Sequence, residues 1–151
     1  MSSRWHRERH GKEGGAAAVE FALLLPLLLM LVFGIIQYGL YFWTMQGGSD
    51  IARDAARLSA VGTPAKCLDF QGAVRAQVES LNGAGEGARI TRTYVDTAPN
   101  GINVGDTVRV RVEFAAADLQ LPFLPFVNDG LVSTTAEARV EYVPSAPEGC
   151  T

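Results

Sequence analysis

Glu20 is the one ionisable residue in an otherwise apolar run that extends from Ala16 to Ile36. Placing a carboxylate inside a membrane segment costs about 2.5–3.5 kcal/mol on insertion scales, so an acidic residue at this depth is a candidate functional residue. Two interpretations stay open. Glu20 either pairs with a positive group at the same depth, or lies near one interface of a plain anchor, where its side chain reaches water.

Other residues that often do chemistry are sparse. His6 and His10 have the helical spacing of a metal pair, but no third ligand accompanies them, and we assign them to a soluble basic tail. Cys67 and Cys150 have no nearby histidine and therefore make no zinc site. They are two free thiols or, if the C-terminal part is exported, a disulfide. We find no nucleophile elbow and no phosphate-binding loop, and we expect neither enzymatic activity nor a cofactor or metal.

The segment that carries Glu20 is predicted to be a membrane-spanning helix. From Ala16 to Ile36, at about 1.5 Å per residue, a helix reaches roughly 30 Å, the thickness of a bilayer core. Pro26 should kink this helix, because proline removes one backbone donor. An aromatic cluster follows the apolar run and predicts a belt at the outer membrane interface: Tyr38, Tyr41, Phe42 and Trp43.

Charge is distributed unevenly and predicts the membrane topology. Residues 1–15 hold four basic and two acidic side chains, whereas residues 61–151 hold seven basic and eleven acidic ones. Positive residues stay cytoplasmic, so we expect the N-terminus inside and the long C-terminal part outside.

The C-terminal part has no basic surface run, which argues against nucleic-acid binding. No convincing Ala-x-Ala site follows the apolar run, which favours a retained anchor over a cleaved secretory signal.

After the apolar run the sequence predicts two short helices. Residues 47–50, Gly-Gly-Ser-Asp, suggest a break, with Ser49 or Asp50 capping a new helix from Ile51 to Ala60. One face of that helix is mostly alanine, which suits close packing against a neighbouring subunit or against the chain's own sheet; both remain open. Residues 61–64 end this helix. A second amphipathic helix is predicted over 70–81, and the glycine cluster at 82–87 is a turn.

From residue 88 the apolar period changes to two, which predicts strands. The candidate strands are Ile90–Val95, Thr107–Ala115 and Leu131–Val143, with a turn at 98–101. Residues 121–126 are apolar but contain two prolines, so they cover the sheet or form an exposed contact patch.

We therefore predict an α+β chain in three parts: a leader at 1–15, a transmembrane and extended helix at 16–61, and a head at 62–151. The head is an antiparallel sheet of three or more strands with helix packed on one face.

The residues around Glu20 also carry a family resemblance. Gly15 followed by Ala-Ala-Ala-Val-Glu-Phe-Ala-Leu-Leu-Leu-Pro resembles the TadE-like family, the minor pilin-like proteins of tight-adherence pilus systems. The resemblance is specific over residues 14–61. It implies a class III signal that a prepilin peptidase cuts after Gly15, so that Ala16 becomes the first residue and Glu20 the fifth. Major pilins of these systems have Glu-Tyr where Glu20-Phe21 stands here, which favours a minor subunit, as does the long soluble part.

The resemblance further implies a place and a set of partners. The protein would be held in the inner membrane by a single span, would take part in pilus assembly, and could enter an extracellular filament. Its partners would be the prepilin peptidase, other pilin-like subunits through the N-terminal helix, the inner-membrane assembly platform and membrane lipid. The alternative function is a bitopic, membrane-anchored binding module of the envelope with a β-rich extracytoplasmic head.

Overall fold

The computed structural model describes residues 13–95, 101–121, 127–144 and 148–150. Both histidines, most of the predicted turn at 98–101 and residues 122–126 of the proline-containing segment lie outside these ranges. The chain forms two compact units, Met1–Ile36 and Gln37–Thr151.

The first unit contains the N-terminal part of helix α1, which spans Glu13–Ala60 and has Pro26 in its interior. No side chain from Gly15 to Ile36 is buried, although nearly all of them are apolar. The helix is long and apolar enough to cross a membrane. An apolar surface of this length that no protein atoms cover is unfavourable in water and favourable in lipid.

The second unit contains the rest of α1, a second helix and a three-stranded antiparallel sheet of order β1-β2-β3. A short 3₁₀ helix, Val127–Gly130, precedes the last strand. The prediction of an α+β chain with a long N-terminal helix and a small antiparallel sheet is confirmed. The elements are α2 at Cys67–Asn82, β1 at Arg89–Val95, β2 at Thr107–Ala115 and β3 at Leu131–Arg139.

The core of this unit lies between the sheet and the two helices. In β2 the predicted alternation is present, with Val108, Val110, Val112 and Phe114 all fully buried. The alanine face of α1 packs into the same core, together with the apolar face of α2: Ile51, Ala52, Ala55 and Ala56 with Phe70, Val74 and Val78. The alanine face therefore packs within its own chain, which settles one alternative left open by the sequence.

The predicted helix break at residues 47–50 is wrong, because α1 continues through both glycines. These glycines allow close packing. A Cβ at Gly47 would lie 2.6 Å from Leu81 Cδ1, and one at Gly48 would lie 2.8 Å from the Phe114 ring. Glycine costs helix stability, but only glycine lets the helix backbone approach these side chains so closely.

Helix α1 ends where the sequence predicted, at residues 61–64. Gly62 adopts a left-handed conformation with φ +73°. The Gly62 amide donates to the Ser59 carbonyl, and the Thr63 amide donates to the Leu58 carbonyl, each at 3.0 Å. This pair of hydrogen bonds is a Schellman motif, which satisfies carbonyls that the end of a helix leaves unpaired.

Strand β3 ends at Arg139, four residues before the predicted end at Val143. The amides of Glu141 and Tyr142 donate instead to the Ala60 carbonyl at the end of α1, at 2.8 and 3.1 Å. Tyr142, which two-residue alternation would place on the same face as the buried Val140, is 60% exposed. Val140 still pairs with the chain before β2, through Asp106 and Gly105, and the residues after it are bonded to the last turn of α1.

The side chains of the aromatic cluster after the apolar run differ in burial. Tyr41 is partly buried and packs against the core of the second unit. Phe42 and Trp43 are 58% and 55% exposed. Tyr41 therefore packs within the head, whereas Phe42 and Trp43 remain accessible, and the belt at the membrane interface stays a prediction.

Candidate functional site

The predicted processing residues lie on one exposed stretch of α1. Gly15, Ala16, Glu20 and Phe21 are all helical and exposed, and Phe21 keeps 61% of its surface accessible. A Cβ added at Gly15 would meet no atom within 4 Å in the described part of the chain. Within the part of the chain that the structure describes, no atom blocks the approach of an enzyme to the Gly15–Ala16 bond.

The local sequence also makes the helix around this bond easy to unwind. Gly14 and Gly15 are the second and third residues of α1. Each glycine destabilises a helix by about 1 kcal/mol relative to alanine, and the first four amides of any helix have no intrahelical acceptor. The first turn of α1 is thus only weakly stabilised, and a peptidase that binds an extended backbone can open it at low free-energy cost.

Glu20 lies four residues beyond Ala16, about 6 Å further along the helix axis. Its side chain points away from the axis, whereas the amine that cleavage would create lies at the helix end. An ion pair within one chain is therefore geometrically awkward. The Glu20 carboxylate is exposed, so it is accessible to a positive group on another molecule.

Residues 15–57 match the family model described as TadE-like protein. This segment is similar to the TadE-like family. The match confirms the resemblance over these residues, and it includes the apolar run, Gly15, Glu20 and the alanine face that packs in the head. No curated protein and no solved structure matches the chain.

A disulfide lies beyond the TadE-like segment. Cys67, the first residue of α2, is bonded to Cys150, and their Cα atoms are 5.5 Å apart. Cys150 also forms an isolated antiparallel bridge with Arg92 of β1. The Arg92 amide donates to the Cys150 carbonyl at 2.9 Å, and the Cys150 amide donates to the Arg92 carbonyl at 2.8 Å. The C-terminal tail is thereby fixed to both α2 and the edge of the sheet.

Arg92 is a fully buried arginine, and the sequence analysis did not single it out. Its guanidinium donates four hydrogen bonds to backbone carbonyls. Nη1 donates to Pro64 at 2.7 Å, Nη2 to Ala65 at 2.9 Å and to Glu148 at 2.7 Å, and Nε to Glu148 at 3.1 Å. One side chain thus joins the loop after α1 to the C-terminal tail.

Two more contacts complete this arrangement. The Arg92 guanidinium lies 4.4 Å from the centre of the Phe70 ring, within the range of a cation–π interaction. A Glu148 carboxylate oxygen accepts a hydrogen bond from the Cys67 amide at 2.9 Å, at the start of α2. We call Arg92, Cys67, Glu148 and Cys150 the tail clasp.

Burial lowers the pKa of Arg92 by desolvation, and the neighbouring Tyr94 and Glu148 partly oppose that shift. Arginine nevertheless remains protonated, because the ordinary pKa of its guanidinium lies far above neutral pH. The tail clasp therefore keeps a permanent positive charge whose donors are directed at carbonyl oxygens. This chemistry fixes backbone segments in place. Among the described residues, no group of three potential metal ligands comes together.

Proposed function

We propose that this chain is a minor pilin-like subunit that takes part in assembling a tight-adherence pilus. The observation that carries the proposal is the TadE-like match over residues 15–57. That segment joins an exposed apolar helix of membrane length to a packed head, and Glu20 occurs five positions after Gly15. A subunit of such a fibre needs an anchor that holds it in the membrane before assembly and a folded part outside.

The proposed topology places the basic residues 1–15 in the cytoplasm, residues 16–36 of α1 across the inner membrane and the head outside. A prepilin peptidase would cut between Gly15 and Ala16, leaving Ala16 as the first residue. The partners would be other pilin-like subunits, which pack against the exposed N-terminal part of α1, the inner-membrane assembly platform and surrounding lipid. The role is structural, with no catalytic step. The disulfide between Cys67 and Cys150 supports export, because oxidising compartments favour such bonds.

The cleavage state of the membrane-bound protein tests this function. Terminal sequencing of the purified protein should begin at Ala16 if the chain is processed as a pilin-like subunit. A start near Met1 would favour the alternative, a membrane-anchored binding module of the envelope.

We expect Gly15→Val to leave the uncut precursor, because a β-branched side chain obstructs close approach of an enzyme to the backbone. Ala22→Val, an exposed position on the same helix, is the matched control and should be cut normally.

A further inference from the structure

Gln37 follows directly after the apolar run, and its side chain is buried, with 3% of its surface exposed. It is also the first residue of the second compact unit. A buried amide must find hydrogen-bond partners, because leaving its donors and acceptor unpaired is costly.

The partners of Gln37 all lie in the segment after β2. Gln37 Nε2 donates to the Ala117 carbonyl and to Asp118 Oδ1, each at 3.4 Å. Gln37 Oε1 accepts from the Leu119 amide at 3.1 Å. Asp118 Oδ1 also accepts from the Gln120 amide at 2.8 Å. We call residues 117–121 the 117–121 turn. Its backbone is thus held against α1 at one position.

The 117–121 turn presents an apolar side chain to its surroundings. Leu119 is 44% exposed, and Ala117, Asp118 and Gln120 are exposed as well. Three of its polar backbone groups have partners inside the protein: the Ala117 carbonyl and the Leu119 amide bond to Gln37, and the Gln120 amide bonds to Asp118. Unpaired backbone groups are costly in hydrocarbon, so these three bonds lower the free-energy cost of bringing the turn to the membrane surface.

The covalent structure determines where this turn lies relative to a membrane. Gln37 comes one residue, about 1.5 Å of helix, after Ile36, where the apolar run ends. A turn fixed to Gln37 therefore lies at the membrane–water interface if α1 spans the bilayer. Phe42 and Trp43, both exposed, follow on the next turns of the same helix.

We propose that the 117–121 turn is a lipid-binding contact that seats the head on the outer surface of the bilayer. Leu119 enters the boundary between head groups and acyl chains, and the Asp118 carboxylate stays at head-group level. Gln37 is the positioning residue that holds the turn at this depth. This inference rests on the proposed function, because it requires α1 to span the membrane.

Site-directed spin labelling of the full-length protein in vesicles of phosphatidylcholine and phosphatidylglycerol tests the contact. A nitroxide on Leu119→Cys should lie about 5–10 Å below the head-group boundary, the depth usual for interfacial segments. It should collide more often with oxygen than with a water-soluble nickel complex. Thr93→Cys, exposed in β1, is the matched control and should show the opposite preference. The native cysteines are disulfide-bonded and do not take the label.

A third label, on Leu28→Cys in the apolar run, separates the two proposals. If the Leu28 label is in lipid while the Leu119 label shows the same collision preference as the Thr93 label, the lipid contact is refuted and the membrane anchor stands. If Leu28 itself is in water, the anchor fails and the contact fails with it. A Leu119 label shielded from both reagents would indicate a protein partner and would also refute a lipid contact.

The variant Gln37→Ala tests the positioning role. It should move the Leu119 label towards water while leaving the Leu28 label at its original depth. An unchanged depth at Leu119 would show that Gln37 does not position the turn. Formation of the Cys67–Cys150 disulfide in the variant serves as the folding control.

Discussion

A buried guanidinium such as that of Arg92 is stable only when its donors are satisfied, because desolvating an unpaired charge is expensive. Backbone carbonyls of Pro64, Ala65 and Glu148 meet this requirement. The burial of Arg92 could be predicted in part from the sequence, because strand alternation places it on the same face as Ile90, which is buried. Its hydrogen-bond partners could not be predicted from the sequence, because they lie far from Arg92 along the chain.

Replacing Arg92 should strongly destabilise the head. Arg92→Met keeps an apolar stem but removes the donor from three carbonyls in partly buried hydrogen bonds, and a fully buried group left unpaired costs about 1–3 kcal/mol. We expect the free energy of unfolding to fall by about 3 kcal/mol or more. Hydrogen exchange of the β2 amides in the detergent-solubilised full chain measures this free energy.

Arg109→Met is the matched control for that variant. Arg109 is half exposed on β2 and pairs with Glu137 at 2.6 Å. Exposed ion pairs contribute about 1 kcal/mol or less, so the effect should be correspondingly small. Equal effects of the two substitutions would contradict a stabilising role for the tail clasp.

Removing the disulfide should also destabilise the head. Cys67 and Cys150 are separated by 83 residues, and a loop of that length corresponds to about 4 kcal/mol in the chain-entropy model. The double variant Cys67→Ser, Cys150→Ser should lose up to this amount in the same hydrogen-exchange measurement. Combined with Arg92→Met, the losses should be less than additive, because both substitutions release the same tail. Strict additivity would show that the disulfide and Arg92 act independently.

At the scale of elements, local patterns predicted strand positions better than they predicted contacts. The bounds of β2 agree with the prediction because apolar, buried residues alternate with more exposed ones along the whole strand. The break predicted at Gly47–Gly48 is wrong because the same glycines can end a helix or allow close packing, and local sequence does not distinguish these roles. The early end of β3 likewise depends on a distant acceptor, the Ala60 carbonyl.

The packing role of Gly48 can be tested by substitution. In an exposed helix, glycine to alanine is stabilising by about 1 kcal/mol. At Gly48 the new methyl group would lie 2.8 Å from the buried Phe114 ring, so overpacking should outweigh that gain and destabilise the head by about 1–3 kcal/mol. Thermal unfolding of the purified full chain gives the sign of the change.

Gly72→Ala in α2 is the matched control, since a Cβ there would meet no atom within 4 Å in the described part of the chain. It should raise the unfolding temperature. A rise for Gly48→Ala as well would mean that Gly48 has no packing role.

At the scale of the whole molecule, α1 contributes to both compact units. Its first part exposes a continuous apolar surface, and its last part is buried in the head. The sequence predicted the membrane character of the first part, because length and hydropathy are local properties. It could not decide what the alanine face contacts, because small residues suit any closely packed partner. With that face buried in its own core, contacts with other subunits are best sought along residues 16–36.

The last prediction concerns Glu20 in such contacts. Cleavage after Gly15 would create a positive amine at Ala16, and a neighbouring helix shifted by about one turn would bring its Glu20 to the same depth. At 4 Å and an effective dielectric constant of 20, two opposite charges attract by about 4 kcal/mol before desolvation is subtracted. We expect Glu20→Gln, which keeps the shape but removes the charge, to be cut and retained in the membrane yet to fail in piliation.

Gly15→Val separates this role from processing, because it should accumulate as an uncut precursor. The two phenotypes therefore differ: one variant has the mature N-terminus and no pili, and the other has the precursor N-terminus. Terminal sequencing together with electron microscopy of pili distinguishes them. Normal piliation by Glu20→Gln would rule out the ion pair and favour the alternative that Glu20 merely reaches the interface, whereas the TadE-like match would be unaffected because it depends on the whole segment 15–57.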